Sequence, residues 1–403
     1  MDCPIQKSFQ TLHQYLLQND FAGYEFDDIL GSPLVRALTR HNVWLQRVAI
    51  QVGRRLIVNI RPWIGVKKLK SSKAFAYIIK GYLYHFLATG EEQFLPLVHD
   101  HLEWLQQHYC RNYSGMSWGN AFDFASRGGF FPQGLPTIVW TAHIAEAFHL
   151  AAEELQQPEY HAVTLQAAQF IYENLERQPD KNGFCFAYAP GILNRIHNAN
   201  LLGAVTLLRA WALTHNTRYF DLAAEAIRWT CAHQNKDGSW YYGADPHYHW
   251  IDNFHTGYNL DCLIAAHHLA GETLIPTPII EKTYQFWVDH FFREDGAPRY
   301  YHNRTAPIDI QCASQAIESL AKYSTRDPSS LVLARKVATW TIRRMQKKNG
   351  AFRFRRGRWW VNNLESIHWG QATMLSALGS LLYYTRKANH DTGDHPTYHL
   401  PGD

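Results

Sequence analysis

The chain has little cysteine. Its six thiols, Cys3, Cys110, Cys185, Cys231, Cys262 and Cys312, show no Cys-x-x-Cys spacing and no short-loop cluster. That argues against a disulfide framework and against thiolate zinc sites, and it fits buried thiols in a reducing compartment. Long apolar runs are also missing: none approaches the ~18 residues that cross a bilayer. The opening MDCPIQKSFQTLHQYLLQND is amphipathic and holds no apolar signal core, so a cytoplasmic location is expected. No strong excess of one charge exists. The formal net charge is +4, too mild to indicate nucleic acid as a partner. No cofactor motif or metal-ligand spacing is read, so neither a cofactor nor a metal is expected. At 46% hydrophobic and 18% charged residues the chain is globular. Aromatic residues are abundant, at 14% with 14 Trp and 22 Tyr. They suit a sugar-stacking cleft, and equally a large helical core.

A repeat runs through the sequence. Residues 180–184 read DKNGF, 236–240 KDGSW, 294–296 EDG and 348–352 KNGAF. Asn or Asp before Gly is turn chemistry, because Gly enters the left-handed region freely. Gly183, Gly238, Gly296 and Gly350 lie 55, 58 and 54 residues apart, a period that marks a repeated supersecondary unit. Each unit holds a small-residue apolar helix and then an amphipathic one. The apolar helices are predicted to begin near Ser72, Thr137, His197, His255, Asp309 and Glu365. Six such pairs close into an all-α (α/α)6 toroid. It is read over 72–388, after an N-terminal helical extension (1–71) and before a polar tail (389–403). Helical patterns at 4–19 and 41–58 offer a sixth outer helix. An open α-solenoid is the competing layout.

In a ring the inner helices are parallel, so their starts converge on one mouth. Three starts carry His followed three residues later by another capable group: His197 and Asn200, His255 and Tyr258, His368 and Gln371. That spacing puts each pair on one helix face. The other starts offer Asp309, Gln311, Gln315, Thr137 and Thr141. Helix N-termini favour anions, and Arg127, Arg195, Arg299 and Arg304 precede them, with an arginine-rich RFRRGRWW at 353–360. Trp118, Phe122, Trp240, Tyr242, Trp250, Trp359 and Trp360 occupy the same loops. Asp252, Asn253 and Asp309 also read simply as helix caps. Together these residues describe a site for an anionic sugar.

The stretches WGNAFDFASRGGFFPQGLPTIV, RIHNAN, IDNFHTGYNLDCL and GYEFDDILGSPL resemble the VpsJ-type proteins of bacterial polysaccharide-biosynthesis clusters, over residues 23–382. More broadly, the ring and its loop-borne Asp and His resemble the (α/α)6 carbohydrate-active enzymes: sugar epimerases, unsaturated-uronyl hydrolases and polysaccharide lyases. The resemblance implies a role in polysaccharide biosynthesis, on a sugar or oligosaccharide that is free or lipid-linked. The KDGSW turn is similar to that of squalene and prenyl cyclases, but their DxDD acid motif is missing, which counts against terpene cyclisation.

Two chemistries are expected of such a mouth. In the first, His255 and His368 abstract and return a proton beside a carbonyl or carboxylate, as in an epimerase or lyase. Tyr258 is an alternate donor, His197 is a third mouth imidazole, and Asn198, Asn253 and Arg127 or Arg195 hold the anion. The second is glycoside hydrolysis by a carboxyl pair drawn from Asp123, Asp252, Asp309 and Glu365. A glycan-binding scaffold without turnover is the third reading. The basic, apolar run 54–70, RRLIVNIRPWIGVKKLK, reads as a connector packed on the body or as a dock for an anionic membrane surface.

Overall fold

The computed structural model describes residues 3–40 and 42–391, without the side chains of Cys3 and Asp391. From residue 392 on, the expected polar tail lies outside the described residues. Helices α1 (Cys3–Gln18), α2 (Pro33–Thr39) and α3 (Val43–Arg55) come first. Inner and outer helices then alternate: α4 (Ser72–Thr89), α5 (Leu95–Gln107), α6 (Ile138–Glu154), α7 (His161–Asn174), α8 (His197–Thr214), α9 (Thr217–Ala232), α10 (Asn253–Ala270), α11 (Thr277–Phe291), α12 (Ile310–Tyr323), α13 (Ser330–Met345) and α14 (Thr373–Asp391). One turn of π-helix, Ile367–Ala372, precedes α14.

The small-residue helices form the inner layer because only they tolerate neighbours on all sides. In α8 every residue from His197 to Leu208 is buried. The inner helices pack in sequence order, α4 to α6, α8, α10, α12 and α14, and α14 packs back on α4. The circuit is closed, as an (α/α)6 toroid and not an open solenoid. Gly81 and Gly379 make the last joint: a Cβ on Gly81 would lie 2.9 Å from the backbone of Leu375. The amphipathic helices form the outer layer. In α9 the buried stripe is Ala223, Ala224, Ala226, Ile227, Trp229 and Thr230.

The repeated turn has a definite task. Gly183, Gly238, Gly296 and Gly350 all take positive φ, and each presses on a backbone carbonyl of the following outer helix. A Cβ at these positions would lie 2.3 Å from Glu225 O, 2.3 Å from Lys282 O, 2.7 Å from Lys336 O and 2.1 Å from Thr11 O, respectively. The last of these identifies α1 as the sixth outer helix. Gln346 confirms it, donating from Nε2 to Ser8 O and to Gly350 O. Residues 3–18 therefore belong to the ring, and only the stretch from Asn19 to Ser71 lies outside it. That stretch reaches the start of the last inner helix, where Ile367 N donates to Tyr24 O, and the loop before α6, where Ile29 and Leu30 pack with Ala125. The strands are short: β1 (Phe124–Ser126) with β2 (Gly129–Phe131), β3 (Arg177–Asp180) with β4 (Gly183–Phe186), and β5 (Ile308–Asp309), β6 (Arg355–Arg356) and β7 (Val361–Asn362) in one small sheet.

Candidate active site

Four inner helices start with side-chain caps. Ser71, Thr137, Asp252 and Asp309 accept from Ala74 N, Trp140 N, His255 N and Gln311 N. Such caps fix the register of everything downstream. Tyr77, His143 and Tyr258 each stand six residues after a cap, and they meet on the axis of the ring. Tyr77 and Tyr258 share a 2.8 Å hydrogen bond between hydroxyls, His143 Nε2 lies 3.4 Å from Tyr77 Oη, and Gln311 Nε2 donates to Tyr258 Oη at 2.8 Å. These groups form a floor. Burial holds the phenols well above their ordinary range and pulls the His143 imidazole down to about 3, so all three stay neutral.

Above the floor stand two imidazoles, each held by a carboxylate in the same way. Asp252 is buried. Its Oδ1 accepts from His255 N at 3.0 Å, and its Oδ2 accepts from His255 Nδ1 at 2.7 Å and from Trp250 Nε1 at 2.9 Å. Glu25 is also buried. Its Oε1 accepts from His368 N at 2.7 Å and from His368 Nδ1 at 3.0 Å, while Oε2 accepts from Ser366 Oγ. Burial alone would raise the Glu25 carboxyl, but His368 and the donors from His368 and Ser366 hold it below its ordinary value. A carboxylate on Nδ1 fixes that nitrogen as the donor and leaves Nε2 to act on whatever faces it. His368 Nε2 is buried and has no hydrogen-bond partner among the described residues.

The two dyads belong to one loop of side chains. His255 lies 6.4 Å from Tyr258, the Tyr258 ring 5.9 Å from Lys73 Nζ, Lys73 Nζ 4.7 Å from the Trp140 ring, and Trp140 5.4 Å from His368. His368 then touches Trp369 at 5.5 Å, Trp369 touches Phe254 at 5.2 Å, and Phe254 returns to His255 at 4.0 Å. Lys73 is 3% exposed and has no hydrogen-bond or ion-pair partner among the described residues. Burial pulls its ammonium down to about 7 against the opposing field of Glu25, and Lys80 adds to the fall. The mouth thus holds two oriented imidazoles, one unpaired cation and aromatic walls.

Several residues predicted for the mouth lie elsewhere. His197 turns outward and stacks on Trp229 of α9 at 4.9 Å. The reason is register: His197 is the first residue of its helix and His255 the third, so the residue matching His197 is Asn253. Asn253 likewise faces the outer layer, accepting from Trp287 Nε1 at 3.0 Å. Asn200 and Gln371 clamp the strand after the repeated turn, accepting from Phe186 N and Phe352 N. The π-turn separates His368 from Gln371, which the i, i+3 rule put on one face. Trp118 and Trp240 are core residues that donate to Leu105 O and Thr230 O. Trp359 is 84% exposed. Glu365 binds Tyr15, Lys347 and Asn349 in the outer layer.

Other expected residues do reach the rim. Tyr242 stacks on Trp250 at 4.7 Å and lies 4.3 Å from His255, and exposed Arg127 covers Trp250 at 5.6 Å. Arg195 is half-buried, and Asn198 is buried with an unpartnered Oδ1. Asp309 is fully occupied by Gln311 N, Trp369 Nε1 and Arg355. Asp123 anchors a loop by accepting from Gln133 N at 2.8 Å. Sequence reasoning missed Glu25, Lys73, Trp140 and Trp369. It also missed Tyr77 and His143, although a count from the caps would have placed both beside Tyr258.

Beneath the floor the bore continues as a cavity of about 340 Å³ toward the C-terminal ends of the inner helices. An ion network lines it, with Lys80 3.0 Å from both Glu146 and Glu318, and Lys322 2.8 Å from Glu318. At its rim His149, Glu153 and His161 bring ligand atoms within 4.8 Å of one another, a metal-type grouping not expected from the sequence.

No protein-family model matches the chain, and no curated protein matches it in sequence. Solved structures do match in fold. Cellobiose 2-epimerase from Bacillus thermoamylovorans aligns with a TM-score of 0.62 at 11% identity, covering 80% of this chain and 90% of that one. A sugar epimerase from a ruminal bacterium gives 0.59 at 13%, covering 80% and 90%. A GH76 α-mannanase from Bacteroides thetaiotaomicron gives 0.60 at 12%, covering 79% and 87%. The chain has the six-hairpin toroid fold that these sugar-processing enzymes share.

Proposed function

We propose that the protein is a carbohydrate-active enzyme that moves a proton on and off a sugar carbon next to a carbonyl or carboxylate. The observation that carries this reading is the matched pair of carboxylate–imidazole dyads, Asp252–His255 and Glu25–His368, on one loop of side chains around the mouth. A base removes the proton through its Nε2, and the other imidazole delivers one. Lys73, buried beside the Trp140 ring, neutralises the negative charge that develops on the sugar oxygen. Trp140 and Trp369 supply faces against which a sugar ring stacks. The fold neighbours include epimerases and a D-mannose isomerase beside GH76 and GH105 glycoside hydrolases, which supports chemistry on a sugar without choosing between the two. A lyase would use the same groups, with a leaving group on the next carbon. The VpsJ-type resemblance of the sequence supports a role in polysaccharide biosynthesis.

Hydrolysis by a carboxyl pair is the weaker reading. Asp252 has both oxygens committed to His255 and Trp250, and Asp309 is committed on three sides. The deciding experiment incubates the protein in D₂O with uronic acids and with reducing mono- and disaccharides, and follows carbon-bound deuterium by NMR and mass. Deuterium gain that His255→Ala and His368→Ala each reduce by about 10²–10⁴-fold supports the proposal. Release of a reducing end without deuterium, surviving both substitutions, overturns it in favour of hydrolysis. Tight glycan binding with no product of either kind overturns it in favour of a scaffold.

A further inference from the structure

In a water-facing helix the polar side is outside. In α3 this is reversed. Its buried stripe is Gln46, Ile50 and Gly53, while Val43, Trp44, Leu45, Val48 and Val52 are exposed. Exposure continues on both sides in sequence, with Leu38 71% exposed in α2 and Trp63 76% exposed in the loop after α3. The β6–β7 hairpin extends the same face. Asn362 donates to Arg54 O and Leu56 O, which ties the hairpin that carries the exposed Trp359 and Trp360 to the end of α3. Apolar patches of this extent are rare on monomeric soluble proteins.

The charge on this face is one-sided. From Ile29 to Gly90 the sequence contains no Asp or Glu, while Arg36, Arg40, Arg55, Lys67 and Lys68 are exposed there, and Arg358 joins them from the hairpin. Tryptophans at the tips, aliphatic residues between them and cations around them are what the interface of a lipid bilayer selects. We infer that this face docks on an anionic membrane surface, with α3 lying in the plane of the headgroups. Gly53 packs on Ile29, four residues from Glu25, and Arg355 of the hairpin binds Asp309. The docking face therefore borders the mouth, and a sugar carried on a lipid would reach the mouth without leaving the surface. That last step rests on the proposed reaction. The docking itself does not.

The test is flotation of the full chain with vesicles of phosphatidylcholine alone and of phosphatidylcholine containing a quarter phosphatidylglycerol. The expected result is binding to the anionic vesicles that falls at high salt. It should drop about fivefold for each of Arg55→Gln and Lys68→Gln, and be lost in Trp44→Ser/Trp63→Ser. All four positions face outward, so circular dichroism and deuterium exchange on a water-soluble sugar should match the parent chain. No flotation with anionic vesicles at low salt overturns the inference. A dimer in solution that dissociates in the double tryptophan variant also overturns it, by giving the face to a second copy. Loss of sugar turnover in the parent chain with flotation intact would sink the proposed reaction and leave the docking standing.

Discussion

Glu25 holds His368 as Asp252 holds His255: in each case one carboxylate takes both the backbone N–H and the Nδ1–H of its histidine. One carboxylate is the local helix cap, and the other comes from 343 residues away. Two unrelated routes through the chain have produced the same chelate. Glu25→Gln and Asp252→Asn keep the size and, for Asp252, the capping ability, but they remove the charge that supports the imidazolium. Each is expected to slow proton exchange about 10–100-fold with little change in KM or circular dichroism. Rates unchanged in both variants would reduce the carboxylates to structural props.

Lys73 sets stability against function. Its folded-state value of about 7 lies below that of an unfolded lysine. Between pH ~7 and ~10 the unfolded chain binds a proton that the folded chain does not, so this residue makes stability rise with pH through that window. Below about pH 7 the folded protein carries a desolvated charge. Lys73→Met removes that cost. The expected outcome is a Tm at pH 6 raised by about 2 °C or more, together with loss of most exchange activity. Activity in the parent chain should fall as pH rises through 7, and a lower Tm for Lys73→Met would contradict the assignment.

His197 separates the sequence reading from the geometry. It sits between α8 and Trp229, outside the bore, and burial pulls it down to about 3. His197→Gln is expected to cost some stability, read as a lower urea midpoint, while the exchange rate stays within about twofold of the parent. A loss comparable to that of His255→Ala would return His197 to the mouth.

Gly350 is expected to be intolerant of any side chain. Its φ is +92°, and a Cβ would meet Thr11 O at 2.1 Å. Gly350→Ala should cost about 2–4 kcal/mol in urea unfolding, from left-handed backbone strain plus displacement of α1. A near-neutral result would mean that α1 is not needed to complete the ring.

The architecture was legible because it is periodic. The Asn/Asp-Gly turns repeat, and every inner helix starts within a few residues of its predicted position, from Ser72 to the π-turn at Ile367. The site was half legible for the same reason. His255, Tyr258 and His368 lie at helix starts, where a ring must bring them together. His197 is misleading because it is the first residue of its helix and His255 the third, a shift of two residues that turns a side chain from bore to flank. Glu25 left no periodic signal at all. It sits on the irregular stretch before α2, and only long-range folding shows that it serves a histidine near the other end of the chain.

The lacing of α1 against Gln346 and Gly350 has a temporal meaning. α1 is made well before the neighbours it packs on, since Gln346 follows Ser8 by 338 residues. Until then its apolar stripe is bare and the sixth wedge of the barrel is missing. Glu25 and His368 meet only after that same delay, so a nascent or prematurely terminated product lacks one complete dyad. Closure of the ring and assembly of that dyad thereby wait on the same distant segment of the chain.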